Sequence, residues 1–243
     1  MCLLGLLTFL GAVRADDQAE TKTLVDKAIK AMGGADKLAR FATFTSRSKG
    51  KFFEPAEVDF TDENWSRLPH HYRFDMDLEA GGNKVKEVLV FNGPKGWLKL
   101  GDNVMEMPKE MVGAFQDYFH ALRLVTDPRG LKEKGVKLAP LGEMKIGDRP
   151  AVGIQVSFPG KRDVNVYFDK ENNLPLKVET TAPPFQGGQE VSQEFFLEDY
   201  KEFEGVKIAT KVTWKSDGKK YMIREVTEIK PEEKIEDATF EKP

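Results

Sequence analysis

A chain of 243 residues, 40% of them hydrophobic and 32% charged, can bury a sizeable core, which excludes a disordered tail. Its 37 basic and 40 acidic residues are interspersed and leave a formal net charge of −3, so no basic face suited to nucleic acid is on offer. One domain is the expectation, because a β-rich unit reaches this length without splitting.

In chain order, Met1 to Leu10 is almost uninterrupted in apolar residues, and Gly11-Ala12-Val13-Arg14-Ala15 then leads into Asp16-Asp17-Gln18. The stretch has the length of an export-signal core, is too short to span a bilayer, and places Val13 and Ala15 at the −3 and −1 positions of a cleavage site. The chain therefore divides into a signal peptide at 1–15 and a single domain at 16–243, secreted across the inner membrane to the periplasm or cell envelope. No Lys or Arg precedes the apolar run, and a buried N-terminal segment is the competing reading. Cys2, the single cysteine, follows Met1 directly instead of ending the apolar run, which argues against lipid attachment. Cleavage after Ala15 leaves 36 basic against 40 acidic residues, a formal charge of −4, and no cysteine. Such a domain must be held by its core.

From Asp17 to Arg40 the spacing of Leu24, Ala28, Ile29 and Met32 predicts a helix, with Gly33-Gly34 as a stop and a short second turn carrying Leu38. At Phe41 the pattern changes to alternation, with strands expected at 42–52, 57–66, 70–79, 84–91 and 96–100. Glu54-Pro55, Leu68-Pro69, Gly81-Gly82 and Asn92-Gly93-Pro94 supply the breaks. A helix at 108–125 follows, opened by Pro108 and striped by Met111, Phe115, Tyr118, Phe119 and Leu122. Alternation then resumes at 136–144, 150–158, 162–169, 174–181, 190–203, 206–216 and 219–230. Turns this short join neighbours antiparallel, so the pattern implies a meander without βαβ crossovers. The fold class is mainly β with α.

The opening helix Ala28-Ile29-Lys30-Ala31-Met32-Gly33-Gly34 with Lys37-Leu38 resembles that of many exported proteins of the LolA/LolB-like superfamily. The second half resembles the same superfamily's run of hairpins: Gly142-Glu143, Gly147-Asp148-Arg149-Pro150-Ala151, Val166-Tyr167-Phe168-Asp169, Asn173-Leu174-Pro175, Asp199-Tyr200, Gly205-Val206-Lys207-Ile208, and a closing Ile235 to Ala238-Thr239-Phe240. The resemblance implies an incomplete antiparallel β-barrel wrapped around helices, with an apolar cavity between them. It also implies a non-enzymatic carrier of a lipid, a lipoprotein acyl chain or a similar hydrophobic ligand; a monomer with room for peripheral membrane contact is the accompanying expectation. The chain is longer than the carriers and lacks their lipoprotein-handling positions, so the cargo is left open.

Residues that could carry chemistry do not assemble into a recognised site. His70 and His71 are adjacent on an expected strand and face opposite ways, so they do not share a metal. His120 stands alone in the helix. Asp75 and Asp77 share a strand face but lack the further oxygen ligands a hard cation needs. Ser46-Arg47-Ser48-Lys49-Gly50-Lys51 lacks the P-loop frame and lies on a strand. No nucleophile elbow is present, and no cofactor is called for.

What remains is an apolar surplus. Met107, Met111, Phe115, Phe119 and Leu122 on the helix, with Trp97, Trp214 and Tyr221 on strands that could face it, are the expected lining of a hydrophobic ligand site, although they suit an ordinary core equally well. Two other readings compete: a cell-envelope interaction module with a filled core, and a hydrolase with an unrecognised site. The first predicts a tight seam between helix and sheet, the second a cleft with converging polar groups and a perturbed His or carboxylate.

Overall fold

The computed structural model describes residues 15–185 and 187–243. All of the expected leader but Ala15 lies outside them. The helical spacing near the start produces α1 (Ala15–Ala31) and α2 (Ala35–Arg40), which bury Val25, Ala28, Ile29 and Leu38. Gly33 separates the two at φ 124°, where a Cβ would fall 2.3 Å from the Gly205 carbonyl oxygen. The close approach lets the Lys207 amide donate to the Met32 carbonyl at 2.9 Å and docks the helical pair on the sheet. Gly34, at φ 94°, has nothing within 4 Å of such a Cβ. Gly33→Ala, which adds a clash to backbone strain, should lower the unfolding free energy by roughly 1–3 kcal/mol, and Gly34→Ala by less. Paired urea titrations check the order, and equal losses would remove the docking argument.

The strands follow the sequence alternation closely: β1 (Thr43–Phe52), β2 (Val58–Arg67), β3 (His71–Ala80), β4 (Asn83–Asn92), β5 (Lys95–Leu100) and β6 (Asn103–Glu106) precede the helix α3 (Lys109–Thr126). After a 3-10 turn at Pro128–Lys132 come β7 (Lys137–Ile146), β8 (Arg149–Ser157), β9 (Val164–Asp169), β10 (Pro175–Ala182), β11 (Val191–Phe203), β12 (Val206–Ser216) and β13 (Lys219–Pro231). The sequence reading lacks β6 and the 3-10 turn, because four residues after Gly101-Asp102 are too few to show a period.

These strands form one 13-stranded sheet in the order β6-β5-β4-β3-β2-β1-β13-β12-β11-β10-β9-β8-β7. Each half is a meander of short hairpins, and the halves are sewn together by β1 and β13, from Phe44 opposite Pro231 to Phe52 opposite Met222. The two edges, β6 and β7, stay apart, so the barrel is open. The connection between the two edges carries α3, which touches β5 in one half and β9 and β10 in the other and so crosses the sheet. Its apolar side chains are thereby laid on the inner face, each fully buried one contributing about 1.5–3 kcal/mol.

The main core holds Phe168, Phe195, Leu197, Val178 and Trp214 of the sheet with Leu124 and Val125 of α3 and the N-terminal helices. A second cluster joins Tyr72, Leu89 and Phe91 to Met107, Val112 and Phe119. A third lies on the outer face, where the C-terminal residues Ile235 and Phe240 cover Val90, Trp65 and Trp97.

Candidate ligand-binding site

Pro108 precedes α3 with φ −55°, already helical in that angle, and Glu110 in the first turn and Arg123 in the last complement the helix dipole. Three sides of α3 are in use. Met111, Val112, Phe115 and Phe119 pack on β3 to β5, while Ala121, Leu124 and Val125 enter the main core. Tyr118 and Leu122 border a cavity of about 160 Å³ between the helix and β1, β2, β3, β11, β12 and β13. Its walls are apolar, including Phe44, Phe74, Leu197, Val212, Met222 and Ile229.

The floor is polar. Ser46, Asn64 and Ser66 are buried side by side, with the Asn64 amide donating to Ser46 and the Ser66 hydroxyl donating to the Asn64 carbonyl oxygen at 3.1 Å. Beyond them Arg224 donates to Asp62 at 2.8 Å and to the Ser48 hydroxyl at 2.9 Å. Strand alternation sets this row, since Ser46 and Ser48 face Asn64 and Asp62 across the β1–β2 ladder.

Tyr72, Phe119 and Arg123 line the cavity and also a wider cleft of about 510 Å³ on the other side of α3. The cleft runs between the turns at Pro69-His70 and Gly93-Pro94 and the segment Phe158 to Lys161, with Gln116, His120 and Glu133 on its walls. Gln116 donates to the Gly93 carbonyl at 2.9 Å and Arg123 to Glu133 at 2.8 Å. Burial raises the Tyr72 phenol above its ordinary range, so it stays a neutral group donating to the Pro69 carbonyl at 3.2 Å.

His120 is set edge-on to Phe158, ring centroids 4.6 Å apart, and its Nε2 is buried without a hydrogen-bond partner among the described residues. Burial, reinforced by the nearby Lys161 and Arg123 charges, pushes it down from 6.5 to about 4, against a smaller opposing effect of Glu133. Above 6.5 the imidazole is neutral in folded and unfolded chains alike. As pH falls from 6.5 through about 4 the unfolded chain takes up a proton that the fold rejects, so stability is lost across that window. His120→Phe should therefore flatten the fall in stability, read as urea midpoints at about pH 5 and about pH 7. An unchanged slope would mean that the imidazole is solvated.

No family model matches the sequence, and no curated protein matches it either. Solved structures do. A LolA superfamily protein from Nitrosomonas europaea superposes with a TM-score of 0.57 at 12% identity, over 91% of this chain and 97% of that one. A domain assigned to outer membrane lipoprotein sorting, from Vibrio parahaemolyticus, gives a TM-score of 0.53 at 11% identity, over 89% and 97%. A DUF1329 family protein from Desulfovibrio piger gives 0.58 at 12% identity, over 90% and 96%. The fold is that of the LolA superfamily.

Within this LolA-type frame the eight residues expected to line a ligand site fall into four places. Phe119 and Leu122 border the cavity, and Phe119 the cleft as well. Met107, Met111 and Phe115 pack with Phe91 in the cluster beneath α3, where Phe115 also stacks on Phe185 at 3.7 Å. Trp214 and Tyr221 lie together, rings 4.3 Å apart, and Trp214 donates its indole N–H to Gln193 at 2.7 Å. Trp97 is on the far side of the sheet under Phe240, away from the helix. In β5 the neighbours Trp97 and Leu98 point opposite ways and both are apolar, because the C-terminal segment covers the face that α3 does not. Sequence reasoning missed Tyr72, Phe74, Arg123, Arg224 and the Ser46–Asn64–Ser66 row. The row had a signal: small polar residues at alternate positions of two adjacent strands.

The remaining polar candidates are engaged elsewhere. Asp75 holds a bidentate pair with Arg73 at 2.7 and 3.0 Å, and Asp77 faces Lys86 at 3.4 Å. His71 opens β3 and packs on Phe240, whereas His70 reaches the cleft. Ser46 to Lys51 lies in β1. Among the described residues the cleft lining includes no Ser, Thr, Cys or Asp, and its one hydroxyl, that of Tyr72, donates to the Pro69 carbonyl.

Proposed function

We propose that this protein is a non-enzymatic binding or carrier protein of the periplasm or cell envelope, for a lipid, a lipoprotein acyl chain or another hydrophobic ligand. The observation that carries the reading is the apolar cavity between α3 and the inner sheet face, which shares Tyr72, Phe119 and Arg123 with the cleft. A void lined by repackable aromatic and Met side chains suits a flexible chain, each methylene gaining about 0.8 kcal/mol on leaving water. A filled-core interaction module would need a tight seam at that place, and the cavity weighs against it.

Export rests on the apolar leader and on Val13 and Ala15 ahead of the proposed cleavage, with residues 16–243 as the mature domain. Among the described residues no helix is long and apolar enough to cross a membrane. The test is native mass spectrometry of protein purified from its own cell envelope, combined with uptake of a fluorescent fatty acid. A bound lipid mass with saturable uptake supports the carrier, and protein that is repeatedly ligand-free and takes up no probe overturns it.

A further inference from the structure

The cleft has a chemical character that the cavity lacks. Its charged groups are two cations, Arg123 and Lys161, against one carboxylate, Glu133. Glu133 is already committed to Arg123, whose side chain is only 12% exposed and sits where cleft and cavity meet. Lys161 is exposed at the rim and makes no ion pair among the described residues. The same cleft holds the buried, unpartnered Nε2 of His120, which feels both cations. A neutral imidazole carries its proton on either nitrogen, and a buried Nε2 left unmatched in either form costs about 1–3 kcal/mol until a partner reaches it. Excess positive charge and a guanidinium shared by cleft and cavity suit a single anion, to which the Nε2–H tautomer of His120 adds a donor.

We propose that the cleft is the head-group site of an anionic amphiphile, whose carboxylate or phosphate lies between Lys161, Arg123 and His120 while its acyl chain passes Tyr72 and Phe119 into the cavity. The inference rests on the carrier reading of the cavity and adds the class of ligand. Neutral lipids fit it less well, because they leave the Lys161 charge without a partner. The polar floor of the cavity does not compete for the head, since its hydrogen bonds are made internally.

The test is competitive displacement of a fluorescent fatty acid from the full mature protein by palmitate, by lysophosphatidate and by hexadecanol. Palmitate and lysophosphatidate stand for carboxylate and phosphate sources of the charge, and hexadecanol is the uncharged control. At least one acid should displace the probe about tenfold better than the alcohol, as a charge-assisted contact predicts, and whichever does so identifies the head. Lys161→Glu, at an exposed position, should shrink the ratio of acid to alcohol affinity severalfold, as should raised salt. Equal displacement by acid and alcohol overturns the head-group site and leaves the carrier reading standing. Absence of binding by all of them removes both.

Discussion

Asp62→Ala should lower the unfolding free energy by roughly 3–5 kcal/mol, the cost of leaving a buried guanidinium without its counter-ion. Asp62 is 2% exposed and Arg224 16%, and their 2.8 Å contact lies beside the cavity that Arg224 lines. Arg224 is further fixed by Ser48 at 2.9 Å and by the Phe74 ring, whose centroid is 5.6 Å from the guanidinium carbon. The pair ties β2 to β13 across β1, which joins the two meanders. Asp62→Leu combined with Arg224→Met removes both charges and should cost less than the single change, because no ion is stranded. Urea unfolding of the two variants decides the point. A loss below about 1 kcal/mol for Asp62→Ala would mean that water reaches Arg224 in the folded protein.

The second large effect is on binding. Val226 stands on β13 opposite Ser48 and lines the cavity half-buried. Val226→Trp would occupy the space that an acyl chain needs. Excluding about four methylenes removes about 3 kcal/mol, so the Kd for a fluorescent fatty acid should rise on the order of 100-fold. Stability should hold, since the added ring enters a void, and the urea midpoint verifies this in the same preparation. Val85→Trp, at a position 45% exposed on β4 and outside the cavity, is the control. Uptake by Val226→Trp that matches the parent protein would place the ligand elsewhere.

Local chemistry made most of the fold readable. Helical spacing at Leu24 to Met32, the Pro108 start of α3 and short turns such as Asp217-Gly218 each specify local geometry through backbone sterics and side-chain period, so element positions agree to within a few residues. The candidate site was readable only in part. Phe119 and Leu122 were found because a helix stripe announces itself. Arg123 and His120, on the same helix, look like surface residues until the turns at Pro69-His70 and Phe158 to Lys161 close around them.

By itself the sequence determined an antiparallel meander of hairpins interrupted by one amphipathic helix, because those features depend on neighbours a few residues apart. Three things were left to the tertiary structure: the seam between β1 and β13, the face each strand turns inward, and the space left beside α3. A seam pairs residues as distant as Phe44 and Pro231, for which no local period exists. Alternation divides β5 into a Trp97 side and a Leu98 side but is blind to which of them the helix covers, since both are apolar and both are covered. A cavity is a difference between the volume that the backbone encloses and the volume that side chains fill, and only the assembled chain sets it.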